Sequence, residues 1–314
     1  MGIGGGSFVD VTEILASFAE KHNILLGVCD AAPLERARLA SPFVPFVSAD
    51  AERRMNPAAT LAGAKSIIVV GVEGAVGCAN LSSLGTADDY HVRVKGLLRE
   101  LVGELKKHAK RALNSADIFA CPQDVSKPDA VSLSIKKMDF KHKILVDSPG
   151  LDERALAHRA GLGFFGRNGL LISEKFGSRF NIGCLLLTLS EKPQSARFFG
   201  GCLPGCEICI KSCPNGALGG DGFCVERCVS YLTQKDELSP EEENMLHGQL
   251  FGCDICQDVC PFNAHMPPSS ACVDPAEWLK MGDDEFEKKY GRTGMLWRGT
   301  EILRRNARIA NRCG

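Results

Sequence analysis

Four cysteines fall within a twelve-residue stretch, Cys202-x3-Cys206-x2-Cys209-x3-Cys213, and Pro214 follows the last of them. A second run, Cys253-x2-Cys256-x3-Cys260-Pro261, repeats the grammar. Thiolates at such spacings hold [4Fe–4S] clusters. Short x2 gaps let neighbouring cysteines grip different irons of one cube, and in two-cluster ferredoxins the last cysteine of a run ligates the other cluster. The proline fixes φ and turns the chain away from the cube. Two cubes need eight thiolates and the two runs supply seven; "FCVERCVSYL" between them offers the eighth as Cys224 or Cys228, and spacing alone does not choose. By the crossover rule, Cys202, Cys206, Cys209 and Cys260 hold one cube. Cys213, Cys253, Cys256 and Cys224 or Cys228 hold the other. Cubes this close together form an electron relay. Structural zinc also uses C-x2-C pairs, but as two separated pairs without a repeated x3-C-P. A disulfide framework belongs to small secreted chains. The remaining cysteines, including Cys29, Cys78, Cys121, Cys184, Cys272 and Cys313, read as small buried hydrophobes.

A relay needs an endpoint, and acids and glycines elsewhere supply candidates. Asp147 closes the apolar run "KILVD", a usual place for a functional acid, although it also precedes a helix that it, Ser148 or Asp152 could cap. "DDYH" sets Asp88, Asp89, Tyr90 and His91 in a row at a helix start. One of the two acids is expected as a cap, and His91 alone is more often a surface or core histidine. Glycines at 161, 163, 166 and 169 remove Cβ atoms, either for close approach of a large ligand or for ordinary turns.

The elements that must position these groups follow from periodicity. Apolar residues Phe8, Val11, Ile14, Leu15 and Phe18 predict a helix over 8–22. "ILLGV" (24–28), "SIIVVGV" (66–72), "KILVD" (143–147) and "NIGCLLLTLS" (181–190) predict buried strands. Residues 90–113 form the clearest amphipathic helix, with Val94, Leu97, Leu98, Leu101, Val102 and Leu105 on one face. "LDERALAHRAG" predicts a helix closed by Gly161. "EFEKKYG" and "WRGTEILRRNARIANR" predict helices near the end. Strands alternating with helices give an α/β (α+β) domain over 1–198, then a ferredoxin-like double-cluster unit over 199–265 and a helical segment over 266–314.

Composition bounds the function. The 314 residues carry a net charge of −1, so the whole molecule does not attract polyanions and a nucleic-acid site must be a local basic patch. The stretch after residue 287 is one: Lys288, Lys289, Arg292, Arg298, Arg304, Arg305, Arg308 and Arg312 face only Glu301. Tyr290 or Trp297 there could stack on a base, and the competing reading is a solvated helix face. No apolar run is long enough to span a membrane and no signal peptide is read, which points to a reducing, cytoplasmic setting. "MGIGGGS" fits the short N-myristoylation pattern.

Taken together these residues resemble the epoxyqueuosine reductase family. The resemblance rests on "ILVDSPGLDERALAHRAGLGFFGRNGLLI", "FGSRFNIGCLLLTL", both cysteine runs, "ERCVSYLT" and "FGCDICQDVCPFN", with "NPAATLAGAKSIIVVGV" and "DDYHVRVKGLLREL" before them. It implies a base-off cobalamin beside two [4Fe–4S] clusters, and a substrate carrying an epoxide in a tRNA anticodon loop. It implies Asp147 as the proton donor and Cys228 as the eighth thiolate. It implies corrin contacts from Tyr90, His91, Gly161, Gly163, Gly166, Arg167 and Asn168, and a flavodoxin or ferredoxin as electron donor. The chain departs from the family pattern in the longer Cys202-x3-Cys206 gap, in Gly166-Arg167-Asn168 for G-K-N, and in Gly183-Cys184-Leu185 where a glutamate is usual. Family members often continue into helical repeats beyond the point where this sequence stops. Two other readings follow from those departures: reductive-dehalogenase-like cleavage of a small substrate with the same cofactors, or a two-cluster electron carrier without a corrinoid.

Overall fold

A computed structural model describes residues 11–35, 46, 50–118, 140–190, 200–219 and 222–313. Phe8, the "MGIGGGS" pattern, Cys121 and the Cys313 side chain lie outside the described set. Strands β1 (Leu25–Asp30), β2 (Ser66–Glu73) and β3 (His142–Leu145) are followed by a two-residue hairpin of β4 (Phe164–Phe165) and β5 (Leu171–Ile172), then β6 (Phe180–Leu187). The main sheet has the order β1-β2-β6-β3. Every pair in it is antiparallel, so the domain takes the α+β form. Alternation of strand and helix along a sequence does not encode strand direction.

The central strands read as continuous apolar runs because both faces are covered. Ile68, Val70, Val72, Leu185 and Leu187 face the helices Val11–His22 and Tyr90–Ile118, where they meet Leu15, Phe18, Val94, Leu98 and Leu101. Ile67, Val69, Cys184 and Leu186 point the other way, onto Leu156 and Ala157 of the helix Glu153–Arg159 and Ala160 at its C-cap. This is the period-2 consequence of the pleat. Gly183 sets the spacing of one face: a Cβ there would lie 2.5 Å from Val94 Cγ1, so the long helix settles directly on the sheet. The helix Glu153–Arg159 starts at Asp152, whose carboxylate accepts from Ala155 N at 3.0 Å.

Between residues 200 and 265 the chain is mostly turns, with the short helices Ile208–Ser212, Val229–Leu232, Pro240–Asn244 and Ile255–Asp258 and the tiny β7–β8 pair (Leu218–Gly219, Gly222–Phe223). Such a segment holds little apolar core of its own. Its support is a third core in which Leu81, Leu250 and Phe251 meet Trp278, Phe286, Met295, Leu303 and Ala307 of the C-terminal helices. Asn306, fully buried on the last helix (Thr300–Cys313), donates to Thr233 O at 2.7 Å and Leu250 O at 2.8 Å. That satisfies two carbonyls that burial would otherwise orphan. A polar seam ties the second cysteine run to the sheet domain. Ser178 N donates to Asn263 Oδ1 at 2.8 Å, and the buried Arg179 lies between Asp254 and Asp258. Gly177, at φ +56°, leaves room there for Asn263 Oδ1, which a Cβ would meet at 2.0 Å.

Candidate active site

The thiols fall into two sets. Cys202, Cys206, Cys209 and Cys260 line one small cavity with Arg167, Asn168 and Phe262. Burial raises the Cys209 thiol, and Cys202, Cys260 and Cys206 raise it further, as close like charges do. Cys213, Cys228, Cys253 and Cys256 share the wall of a second, larger cavity. Burial pushes Cys253 up to about 12, with Cys228 and Cys213 contributing. Burial also raises Cys256, helped by Cys253 and Cys228, and Cys209 of the first set adds to the rise. The two sets therefore adjoin through the short helices that carry Cys209 and Cys256. Cys224 stands outside both sets; its Sγ lies 3.5 Å from Glu226 Oε2. Backbone N–H groups already point at sulfur, from Arg167 to Cys202 at 3.4 Å and from Ala217 to Cys213 at 3.2 Å. Among the described residues no three His, Cys, Asp or Glu side chains converge closely enough to hold a single metal ion. Of the other cysteines, Cys29 and Cys184 are buried as expected, Cys78 is half-buried, and Cys272 is exposed because it lies in an irregular surface segment.

The larger cavity measures about 1190 Å³ and lies between the sheet domain and the second thiol set. Its lining includes Ser82, Tyr90, Arg93, Asn168, Gly169 and Arg179. Among its lining residues, Asn168 Nδ2, Ser82 Oγ and Arg179 Nε are buried without a hydrogen-bond partner, and Arg179 Nη1 has only the Asp254 carboxylate at 3.7 Å. Buried polar groups are normally paired, so these point to a polar ligand. Of the glycines in the 161–169 stretch, only Gly169 lines this cavity. Gly161, at φ +78°, closes the helix before it. Gly163 and Gly166 make room for Ile172 across the β4–β5 hairpin, where a Cβ would meet its carbonyl at 2.2 Å or its side chain at 2.5 Å. Arg167 faces the first thiol set and pairs with Glu207 at 3.2 Å.

Asp147 lies just beyond β3, on a turn at φ +52°, a left-handed conformation that Asp tolerates better than most residues. Its Oδ2 accepts from Tyr90 Oη at 2.8 Å, and His91 Nε2 lies 3.9 Å from the same oxygen. Burial and the Asp147 carboxylate push the Tyr90 phenol far up, so it donates a hydrogen bond and keeps its proton. Tyr90 lines the large cavity, whereas His91 turns to Asp89, with Nδ1 at 2.7 Å from Oδ1. The turn is held from below by Glu153, whose carboxylate accepts from Asp147 N at 3.0 Å and Ser148 N at 2.7 Å. Burial pushes Glu153 up to about 8, against the opposing pull of those two N–H donors. Sequence reasoning missed Glu153, because a glutamate in the first turn of a helix reads as a dipole partner. It also missed Arg179 and Ser82, which carry no motif.

Residues 202–263 match the 4Fe-4S double cluster binding domain. An epoxyqueuosine reductase of Staphylococcus aureus is 31% identical over 276 residues, covering 84% of this chain and 68% of the relative. The chain belongs to the epoxyqueuosine reductase family. It is thus similar to oxidoreductases throughout its described fold. The epoxyqueuosine reductase of Streptococcus thermophilus superposes with a TM-score of 0.77 at 26% identity, over 96% of this chain and 81% of that one. An epoxyqueuosine reductase solved with an epoxyqueuosine-modified tRNA-Tyr stem loop matches equally, at a TM-score of 0.77 and 25% identity over 96% and 80%. Among the described residues of this family member, no helix is long and apolar enough to cross a membrane.

Proposed function

We propose that the protein reduces epoxyqueuosine to queuosine in the anticodon loop of a tRNA, using two [4Fe–4S] clusters and a cobalamin. The observation that carries this reading is the placement of the large cavity. It has the thiol set Cys213, Cys228, Cys253 and Cys256 on one wall and Tyr90, the partner of Asp147, on another. At about 1190 Å³ it exceeds the span of roughly 300–1,000 Å³ usual for small-ligand sites, as a corrin requires. Asn168 Nδ2, Ser82 Oγ and Arg179 Nε are unpartnered groups available to such a cofactor, and Gly169 and Arg93 also line the cavity. When bound, cobalamin supplies a cobalt centre that becomes strongly nucleophilic on reduction by low-potential clusters.

The rest of the reaction falls to the chain. Opening and removing the epoxide takes two electrons and two protons and releases the oxygen as water. With clusters bound, the first, outer thiol set, where Leu203 and Ile208 are exposed, would take electrons from a reduced flavodoxin or ferredoxin, and the adjoining inner set on the cavity wall would pass them on. Asp147 gives a proton to the departing oxygen, with Tyr90 orienting its carboxyl and Glu153 fixing its backbone.

Anaerobically reconstituted protein should contain about eight irons and one corrinoid per chain. With a strong reductant it should convert epoxyqueuosine tRNA to a nucleoside lighter by one oxygen, read by mass spectrometry of the digested tRNA. Full cofactor loading with unchanged tRNA would refute the substrate; eight irons without corrinoid uptake would favour an electron carrier. Asp147→Ala should keep the cofactors and lose roughly 10²–10⁴-fold in turnover; undiminished turnover would mean that another group is the acid.

A further inference from the structure

Reduction of a [4Fe–4S] centre adds one negative charge to it, so charges fixed nearby set how readily it takes the electron. We propose that Arg179, a cation that the sheet domain inserts beside the second cysteine run, holds the inner centre at a higher reduction potential than its acidic surroundings alone would give. The inference rests on the reading of Cys213, Cys228, Cys253 and Cys256 as the ligands of that centre.

The helix Ile255–Asp258 carries Cys256, and an acid stands two residues to either side of it, Asp254 at the N-cap and Asp258 at the last position. The Arg179 guanidinium meets both, with Nη1 3.7 Å from Asp254 Oδ2 and Nη2 donating to Asp258 Oδ1. A four-residue helix is only about 6 Å long, so a group that reaches both ends lies within roughly a turn of Cys256. Arg179, Cys253, Asp254 and Cys256 also line the same cavity. The Arg179 side chain is 1% exposed and that of Asp254 10%, so water and salt screen their fields little.

The other groups packed here are neutral. Asp254 accepts from Ser83 N at 2.9 Å and from Gln257 Nε2 at 3.1 Å, and Ser178, Gln257 and Asn263 hydrogen-bond to one another. Arg227, a further cation near this thiol set, is exposed beside Gly216. Arginine stays protonated throughout the working range, and here only Nη2 makes a hydrogen bond while Nε and Nη1 make none. Its charge is therefore constant and incompletely answered. At the outer set the comparable pair, Arg167 with Glu207, is more than two-fifths exposed on both sides, and solvent weakens its effect. In each passage the inner centre gains one electron from the outer centre and then gives one up. No bond forms or breaks and no proton moves. Arg179 acts by favouring the filled state.

The test is a redox titration followed by EPR on the whole chain reconstituted with clusters alone, so that a contact between Arg179 and a corrinoid does not enter. The wild type should show two one-electron steps. In Arg179→Met one step should move to lower potential, the reduced-to-oxidised ratio at its wild-type midpoint falling about tenfold, or ~59 mV. Asp254→Asn, which keeps an acceptor for Ser83 N, should move the same step upward. Arg179→Lys keeps the charge and should stay close to the wild type. If Arg179→Met alone does not fold, adding it to Asp254→Asn leaves one buried acid fewer unpaired, and the step should fall back by a similar factor. Midpoints that stay in place, two steps that move together, or an Arg179→Lys step as low as that of Arg179→Met would each overturn the inference. A wild type with fewer than two cluster steps would remove the cluster reading itself, whereas two steps that ignore Arg179 remove only the inference.

Discussion

Single residues carry the chemistry, and they differ in how far the sequence declares them. The cysteines were legible because ligand spacing is a local property, fixed by how a short loop wraps a cube. Asp147 stands out in the sequence as a candidate at the end of an apolar run, and its surroundings do not. What holds it, Tyr90 from 57 positions earlier and Glu153 from beneath, is a product of folding. Glu153 gives the residue scale its first prediction. Its folded-state value near 8 lies above that of an unfolded glutamate, so folding favours the neutral acid. Its contribution is present in full below the unfolded value, near pH 4.5, and is lost as pH rises through about 8. The loss between pH 5 and pH 9 should be on the order of 3–5 kcal/mol, seen in denaturant titrations as a falling midpoint. Glu153→Gln should flatten that slope; equal slopes in both proteins would mean the carboxyl is not buried as described. The eighth thiolate gives the second. Cys228→Ala should reduce iron from about eight per chain to about four or fewer, and Cys224→Ala should leave it unchanged. The opposite pattern would exchange their roles.

At the scale of elements, helices and buried strands were legible wherever apolar residues ran to length. Residues 90–113, read from one apolar face, extend as a helix to Ile118. Strand direction was not legible, because pairing is settled by which edges meet. The roles of the glycines were not legible either, since Gly163 and Gly183 differ only in what lies across from them. The reason for Gly183 lies in Val94, a residue 89 positions earlier. Gly183→Val would push the long helix off the sheet, and with it Tyr90 and His91 at the helix start. The expected cost is roughly 1–3 kcal/mol or more, together with weaker corrinoid binding. A variant with wild-type stability would show that the helix has slack there.

Across the whole molecule, the basic C-terminal stretch is the feature that folding changes most. Lys289 pairs with Glu277, Arg292 with Asp88, Arg298 with Asp236, Arg304 with Asp283, Arg308 with Glu301 and Arg312 with Glu243, while Arg305 caps the carbonyls of Lys235 and Asp236. These side chains bind the tail to the rest of the protein, so the local excess of positive charge is largely answered by acids distant in sequence. Tyr290 is buried, accepting from Trp278 Nε1 at 3.0 Å, and cannot stack on a base. Trp297 can. It is 54% exposed, edge-on to Phe46, and donates to Gln234, which lines the large cavity. If tRNA is the substrate, Trp297→Ala should weaken its binding by about 5–150-fold, from the 1–3 kcal/mol typical of base stacking, with iron and corrinoid content unchanged. Gel-shift titrations at fixed salt would measure it, and unaltered affinity would place the base elsewhere.

The interleaving of the thiols has a consequence for how the protein is made and lost in a cell. Cys213 belongs to the first run but faces the inner set, and Cys260 belongs to the second run but faces the outer one. Neither centre can mature from its own stretch of chain, so assembly waits until both runs have been synthesised and docked. Loss of the outer centre would likewise free Cys260, four residues after Cys256 of the inner set. A molecule loaded with one cluster would then be expected to hold the other less firmly.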